Sequence, residues 1–96
     1  MLPAYAASKA AIRGLTLPLA RDLSRYGIRV VCVAPGYMDT AMTQNVPKQA
    51  TPDVAFPVRF GYPAEFGELC VSIIENRYLN GETIRLDGAM RVTPNL

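Results

Sequence analysis

The stretch "IRVVCVAPG", residues 28–36, constrains the fold of this chain more than any other feature. Its residues 30–34 are all apolar, with no alternation of polar and apolar side chains. This pattern is typical of a strand that is covered on both faces of a parallel sheet. Pro35 and Gly36 predict the end of that strand. Such a strand needs neighbouring strands and helical cover, so we expect an α/β fold with a parallel sheet.

Two helices and a second strand are predicted around this run. Pro3 is a suitable first residue for a helix over residues 4–25, because its missing N–H costs nothing there. Gly27 is a natural left-handed stop for that helix. Apolar side chains three and four positions apart predict a second, amphipathic helix over residues 63–76. The stretch "ETIRLDG", residues 82–88, then predicts a short strand.

The order of elements predicts that the sheet continues beyond these two strands. Two parallel strands are too few for an independently stable sheet. We therefore expect the chain to form part of a larger one. Residues 41–62 are rich in Pro, Thr, Gln and Asn and predict a loop with a short helix. Long loops in compact domains often serve as functional lids.

Composition excludes several function classes. A net charge of +2 with scattered basic residues does not indicate nucleic-acid binding. No apolar run approaches the ~20 residues of a membrane span. The chain has no histidine, which removes the commonest metal ligand, and we expect no metal site. Cys32 and Cys70 lie in apolar runs and are predicted to be buried free thiols, which favours a reducing compartment.

Tyr5 and Lys9 stand four positions apart on the first predicted helix. That spacing places them on nearly the same helix face, ~6 Å apart along the axis. At an effective dielectric of 20, an ammonium at that distance stabilises a phenolate by roughly 2.8 kcal/mol, which suits a tyrosine to proton transfer. The alternative is an ordinary pair of surface neighbours. The spacing alone does not decide between the two.

The stretch "PGYMDT", residues 35–40, leaves the buried strand at its carboxyl end. Ligands of open α/β sheets bind at that end of the strands. Gly36 would let the backbone approach a ligand closely, and Thr40 places a hydroxyl near a predicted helix start. The alternative is a plain Pro-Gly turn.

Three stretches in this order resemble the C-terminal half of the short-chain dehydrogenase/reductase family: "YAASK", "IRVVCVAPG" and "NGETIRLDGA". The resemblance implies the C-terminal part of one Rossmann-like doubly wound domain over residues 1–96, without its N-terminal cofactor half. Residues 1–40 would hold the catalytic helix, strand and cofactor loop. Residues 41–62 would form the substrate lid, and residues 63–96 the helix, last strand and tail.

The resemblance also implies roles for single residues. Tyr5 would be the catalytic acid/base, and Lys9 would assist it and hold the nicotinamide ribose. Thr40 would hydrogen-bond the carboxamide or the pyrophosphate side of the cofactor. The residues implied to line the nicotinamide are Pro35, Gly36, Tyr37 and Met38.

The implied activity is the NAD-dependent interconversion of a secondary alcohol and a ketone. The substrates would be small molecules of the 3-hydroxyacyl-CoA or hydroxysteroid type. The first helix would belong to the interface of a homotetramer. The resemblance implies a mitochondrial location, with the cytoplasm as the alternative.

The sequence also departs from the family pattern. No two of its seven glycines lie within five positions of each other, so it has no glycine-rich turn to receive a pyrophosphate. There is no room before Tyr5 for the family's catalytic serine. We therefore expect the chain to be inactive by itself. The alternative is a non-catalytic, truncated paralogue that acts as an interaction module or is a degenerate remnant.

Overall fold

The computed structural model describes residues 2–45 and 53–91. It confirms the α/β class, with two parallel strands paired in one sheet and two helices. No helix in the described part of the chain is long and apolar enough to cross a membrane. The elements in chain order are α1 (Pro3–Leu23), β1 (Cys32–Pro35), α2 (Pro63–Glu75) and β2 (Thr83–Leu86), with short 3-10 helices at Ser24–Tyr26 and Ala41–Thr43.

The first helix follows its prediction closely. Pro3 lies at the start of α1, where a proline loses no hydrogen bond. The helix continues through Pro18, and its last turn tightens into the 3-10 helix at Ser24–Tyr26. Gly27 ends it with a left-handed φ of 71°. A glycine takes this conformation without the steric cost that other residues have.

Strand β1 begins later than predicted and is less buried. Val30 makes its backbone hydrogen bonds with a turn, accepting from the Gly81 N–H and donating to the Asn80 side chain. The ladder therefore starts at Cys32, whose N–H donates to the Glu82 carbonyl. Since only β2 pairs with β1 in the described residues, the strand stays half-buried. Cys32 and Cys70 are free, as predicted, but half-buried instead of buried.

The chain divides into two compact units, and the first comprises residues 2–33 and 73–84. Its packed centre lies around Ala20 and Thr16, which are 2% and 4% exposed. Gly81, at φ 70°, packs there, and a Cβ on it would lie 2.9 Å from Leu17 Cδ1. The rest of α1 is largely exposed, including its large apolar side chains.

Arg29 holds the C-terminal end of α2 within this unit. Its Nη1 donates to the carbonyls of Ile73, Asn76 and Leu79, at 2.9, 3.2 and 3.1 Å. Its Nη2 donates to the Ile74 carbonyl at 2.8 Å. The last carbonyls of a helix have no partner within the helix. One guanidinium therefore satisfies four carbonyls at this end.

The second unit comprises residues 34–45, 53–72 and 85–91. Val54 and Phe60 are its buried apolar side chains, at 8% and 4% exposure. The Gly88 carbonyl accepts from the N–H groups of Ala55 and Phe56. Residues 46–52 of the predicted loop over 41–62 lie outside the described residues. Its described residues are irregular apart from the short 3-10 helix at Ala41–Thr43 and a bridge at Gly61.

Candidate functional site

Tyr5 and Lys9 lie on α1 in the first unit, one helical turn apart. The Lys9 ammonium lies over the Tyr5 ring, with Nζ 5.4 Å from the ring centroid. Tyr5 is 57% exposed. The structure therefore brings the two together as the spacing predicted, with the positive charge over the ring face. At an exposed position, such a cation–π contact contributes about 0.5–1 kcal/mol.

Ser8, which lies between them in sequence, hydrogen-bonds to the backbone of its own helix. Its hydroxyl donates to the Tyr5 carbonyl at 2.8 Å. This is the local back-bonding that serine commonly makes inside helices. The Tyr5 carbonyl is thereby occupied, whereas its hydroxyl makes no hydrogen bond with any described residue.

The loop after β1, residues 35–40, lies in the second unit and is fixed mainly by Gly61. The Gly61 N–H donates to the Tyr37 carbonyl at 2.9 Å, and the Asp39 N–H donates to the Gly61 carbonyl at 2.8 Å. Met38 and Gly61 are thereby joined in a parallel bridge. The Tyr37 ring stacks on Phe60, with centroids 5.4 Å apart. Backbone hydrogen bonding therefore continues beyond the end of β1, with Gly61 as the partner.

Gly36 is required by a neighbour in its own chain. A Cβ on this residue would lie 2.7 Å from Asp87 Cβ and 3.0 Å from Asp87 Cα. The Gly36 N–H also donates to the Leu86 carbonyl. The sequence suggested that Gly36 allows close approach of a ligand. The structure shows that Asp87 also requires a glycine at this position. Close approach of a ligand to Gly36 stays a prediction.

Pro35 and Thr40 bound the loop. Pro35 is the last residue of β1, and the N–H of Gly36 after it still donates to the Leu86 carbonyl of β2. Thr40 precedes the 3-10 helix at Ala41–Thr43, as predicted for a residue at a helix start. Its N–H donates to the Thr43 hydroxyl, which in turn donates to the Met38 carbonyl. The predicted contact of Thr40 with a cofactor stays a prediction.

Asp87 is a carboxylate beside this loop whose side chain is only 8% exposed. It accepts from the Arg85 guanidinium at 2.6 Å and from the Ala89 N–H at 3.1 Å. Burial acts to raise the pKa of Asp87, but the hydrogen bonds and charge of Arg85, the Ala89 N–H and the charge of Arg91 together outweigh it, and the pKa is lowered. Asp87 thus closes the turn after β2.

The sequence reading missed an ion pair between Arg59 and Glu65. Nη1 and Nη2 of Arg59 contact the two carboxylate oxygens of Glu65 at 2.9 and 3.0 Å. The hydrogen bond from Arg59, with a second one from the Tyr62 N–H, lowers the pKa of Glu65 from 4.5 to about 2. Glu65 lies three positions after Tyr62, the residue that precedes α2, and a glutamate at that position is one half of a capping box. The sequence therefore indicated this contact with the Tyr62 N–H. Nothing in the sequence indicates its pairing with Arg59.

A cavity of about 90 Å³ adjoins this ion pair in the second unit. Its walls include Arg59 and Glu65 on one side and the side chains of the loop after β1 on another. Residues 2–45 and 53–91 contain no group of three or more His, Cys, Asp or Glu side chains that could hold a metal ion. The lining residues are Tyr37, Met38, Val54, Pro57, Arg59, Gly61, Glu65, Leu86, Asp87 and Gly88.

Comparison with known proteins places this geometry in a family. The family model for the short chain dehydrogenase matches residues 1–51. The chain is 52% identical over 95 residues to 3-hydroxyacyl-CoA dehydrogenase type-2 of Mus musculus, covering 95% of this chain and 36% of that protein. It therefore spans about a third of the length of this relative.

Solved structures agree. The crystal structure of 3-hydroxyacyl-CoA dehydrogenase type-2 from Mycobacterium avium superimposes with a TM-score of 0.90 at 46% identity, over 97% of this chain and 37% of that one. BdcA, solved in complex with NADPH, superimposes with a TM-score of 0.83 at 28% identity, over 98% of this chain and 40% of that one. The match of the family model, the sequence identity and the shared fold show that this chain belongs to the short-chain dehydrogenase family.

Proposed function

We propose that this chain supplies the proton-transfer residues and the nicotinamide-facing loop of an oxidoreductase. The reaction is the interconversion of a secondary alcohol and a ketone with NAD, on a 3-hydroxyacyl-CoA or hydroxysteroid type of substrate. The observation that carries the proposal is the placement of Lys9 Nζ 5.4 Å from the Tyr5 ring centroid on an exposed stretch of α1. The 52% identity to the mouse 3-hydroxyacyl-CoA dehydrogenase type-2 supports this substrate class.

Tyr5 moves the proton in this mechanism. In the oxidation direction, its deprotonated oxygen takes the hydroxyl proton of the substrate while the carbon-bound hydrogen leaves as hydride and a ketone forms. In the reverse direction the Tyr5 hydroxyl returns that proton to the carbonyl oxygen. The Lys9 ammonium stabilises the phenolate by its positive charge, because the two groups share one face of the helix. Tyr5 thus acts as a general base in the oxidation and as a general acid in the reduction.

The donors on α1 fit the ribose end of a dinucleotide cofactor. Among the described residues, Lys9 lies over the Tyr5 ring and forms no hydrogen bond or ion pair, so its N–H donors are available to ribose hydroxyl oxygens. When bound, NAD supplies the nicotinamide ring that accepts the hydride. Residues 35–38 would line that ring, and Thr40 would hydrogen-bond its carboxamide or the pyrophosphate side. The pyrophosphate needs a glycine-rich turn, which this sequence does not contain.

A second candidate is a non-catalytic interaction module, and the exposed apolar side chains of α1 favour it. Ile12 and Leu15 are each 54% exposed. Contiguous exposed apolar surface commonly marks a protein–protein contact. In this alternative the chain binds complete subunits of the family through α1. In the preferred function the same surface would contribute to a homo-oligomer.

A chimera tests the preferred function. In it, the 95-residue segment matched in the mouse enzyme is replaced by the corresponding residues of this chain. The host supplies the glycine-rich turn and the serine that the family resemblance implies. We expect NAD-dependent oxidation of a 3-hydroxyacyl-CoA or of a hydroxysteroid. A folded chimera that binds NAD but oxidises neither substrate would contradict the function and favour the interaction module.

The chain by itself gives a complementary test. We expect calorimetric titration to show no micromolar affinity for NAD, because the sequence has no glycine-rich turn to bind the pyrophosphate. Micromolar binding would contradict the proposal that this chain contacts only the ribose and nicotinamide end of NAD.

A further inference from the structure

The Arg59–Glu65 ion pair ties the end of the irregular segment to the start of α2. Besides the two charge-assisted bonds to Glu65, Arg59 Nη1 donates to the Phe60 carbonyl at 3.0 Å. Glu65 Oε1 also accepts from the Tyr62 N–H at 2.8 Å. The guanidinium carbon lies 4.1 Å from the centroid of the Tyr62 ring. The pair therefore fixes the backbone on both sides of Gly61.

This ion pair is bidentate, with two guanidinium nitrogens on two carboxylate oxygens, unlike a simple single contact between exposed charges. The side chains of Arg59 and Glu65 are 34% and 40% exposed, and a simple contact at such exposure contributes little to stability. A planar bidentate contact is stronger and orients both partners. A lysine cannot reproduce it, since its ammonium is a single point of charge. The arrangement favours a role in orienting the backbone around Gly61 over a large contribution to the free energy of unfolding.

Gly61, the residue between the two anchors, is the one that fixes the loop after β1. Its N–H and carbonyl hold the Tyr37 carbonyl and the Asp39 N–H at 2.9 and 2.8 Å. A Cβ on Gly61 would lie 2.8 Å from Met38 Sδ, so these two segments of the chain approach closely here. The neighbouring Phe60 ring is buried and stacks on Tyr37. Any shift of residues 60–61 would therefore displace residues 37–39.

We propose that Arg59 and Glu65 are positioning residues for the loop over residues 37–39, acting through Phe60 and Gly61. This inference rests on the proposed function, in which the loop lines the nicotinamide. Neither side chain needs to touch the cofactor. Their effect is to hold the loop backbone in its binding position, and misplacement by about 1 Å can lower catalysis substantially.

The test compares two arginines that hold opposite ends of α2. Arg59→Met removes the bidentate pair at the N-terminal end, and Arg29→Met removes the four carbonyl contacts at the C-terminal end. Both variants are made in the chimera and studied well below their unfolding temperatures. Two quantities are measured for each: the Kd for NAD and the amide hydrogen exchange of Asp39 and Gly61.

We expect Arg59→Met to weaken NAD binding about tenfold, equivalent to about 1.4 kcal/mol, and to speed exchange at both amides. Arg59→Lys should recover only part of each effect. Glu65→Gln keeps the shape of the side chain and should change the Kd and the exchange in the same direction as Arg59→Met. It replaces Arg59→Met in the test if that variant does not fold. Arg29→Met should lower stability without changing either quantity.

Two results would overturn the inference. One is an Arg59→Met variant with unchanged Kd and unchanged exchange at Asp39 and Gly61. The other is an equal change in Arg29→Met, which would show a general loss of stability. If the unsubstituted chimera does not bind NAD, the proposed function fails, and the exchange measurement alone decides whether the pair positions the loop.

Discussion

Asp87 occupies the space that a side chain at Gly36 would need. A Cβ on residue 36 would lie 2.7 Å from Asp87 Cβ and 3.0 Å from Asp87 Cα. Asp87 cannot easily move aside, because its carboxylate is bound by Arg85 and by the Ala89 N–H. The glycine at the end of β1 is thus fixed by packing against the turn that follows β2.

The substitution Gly36→Ala should therefore destabilise the chimera by about 1–3 kcal/mol, as expected for overpacking. The matched control is Gly67→Ala in α2, where a Cβ meets nothing within 4 Å. That change should stabilise the helix by about 0.5–1 kcal/mol. Chemical denaturation of the three proteins measures both effects. Equal stability of Gly36→Ala and the unsubstituted chimera would contradict the packing assigned to Asp87.

The sequence predicted those features that depend on neighbours along the chain. Pro3 and Gly27 bound α1 because each has a local conformational preference. Tyr5 and Lys9 meet because four residues make about one helical turn. Each of these contacts lies within a few residues, so a pattern in the sequence is enough.

Contacts between distant segments could not be predicted in this way. The contact of Asp87 with Gly36 depends on how β1 and β2 pair, and no spacing in the sequence encodes it. The start of β1 shifted because Asn80 and Gly81 bond to Val30, a partnership that only the folded chain shows. The pairing of Arg59 with Glu65 likewise depends on the turn before α2, which brings the two side chains together.

Arg29 offers a second test of the fold. Replacing it by methionine should cost about 2 kcal/mol, because hydrogen bonds from a charged donor are worth more than neutral ones. Arg29→Lys should recover little of this stability, since an ammonium has three donors on one nitrogen and cannot reach the four carbonyls that the planar guanidinium reaches. The control is Arg77→Met, because Arg77 makes no hydrogen bond or ion pair with the described residues. Equal unfolding free energies for the Arg29 and Arg77 variants would contradict the role of Arg29.

Glu65 predicts a pH dependence of stability. Its pKa is lowered in the folded chain from 4.5 to about 2, chiefly by the hydrogen bond from Arg59. The carboxylate therefore stabilises the fold fully above pH 4.5, and this contribution is lost as pH falls from 4.5 towards 2. The unfolding free energies of the unsubstituted chimera and of Glu65→Gln should converge over that range. A difference that stays constant or grows as pH falls would show that the Glu65 carboxylate is not stabilised by the fold.

Hydride transfer by the Tyr5→Phe chimera tests the central claim most directly. The substitution removes one hydroxyl and keeps the ring under Lys9, so NAD should bind with nearly unchanged Kd. The matched control is Tyr78→Phe, since Tyr78 is 99% exposed and has no part in the proposed chemistry. We predict that kcat falls about a thousandfold in Tyr5→Phe, as expected when a general acid–base group is lost, and is unchanged in Tyr78→Phe. A Tyr5→Phe chimera with kcat close to that of the unsubstituted protein would contradict the assignment of Tyr5 as the proton-transfer residue.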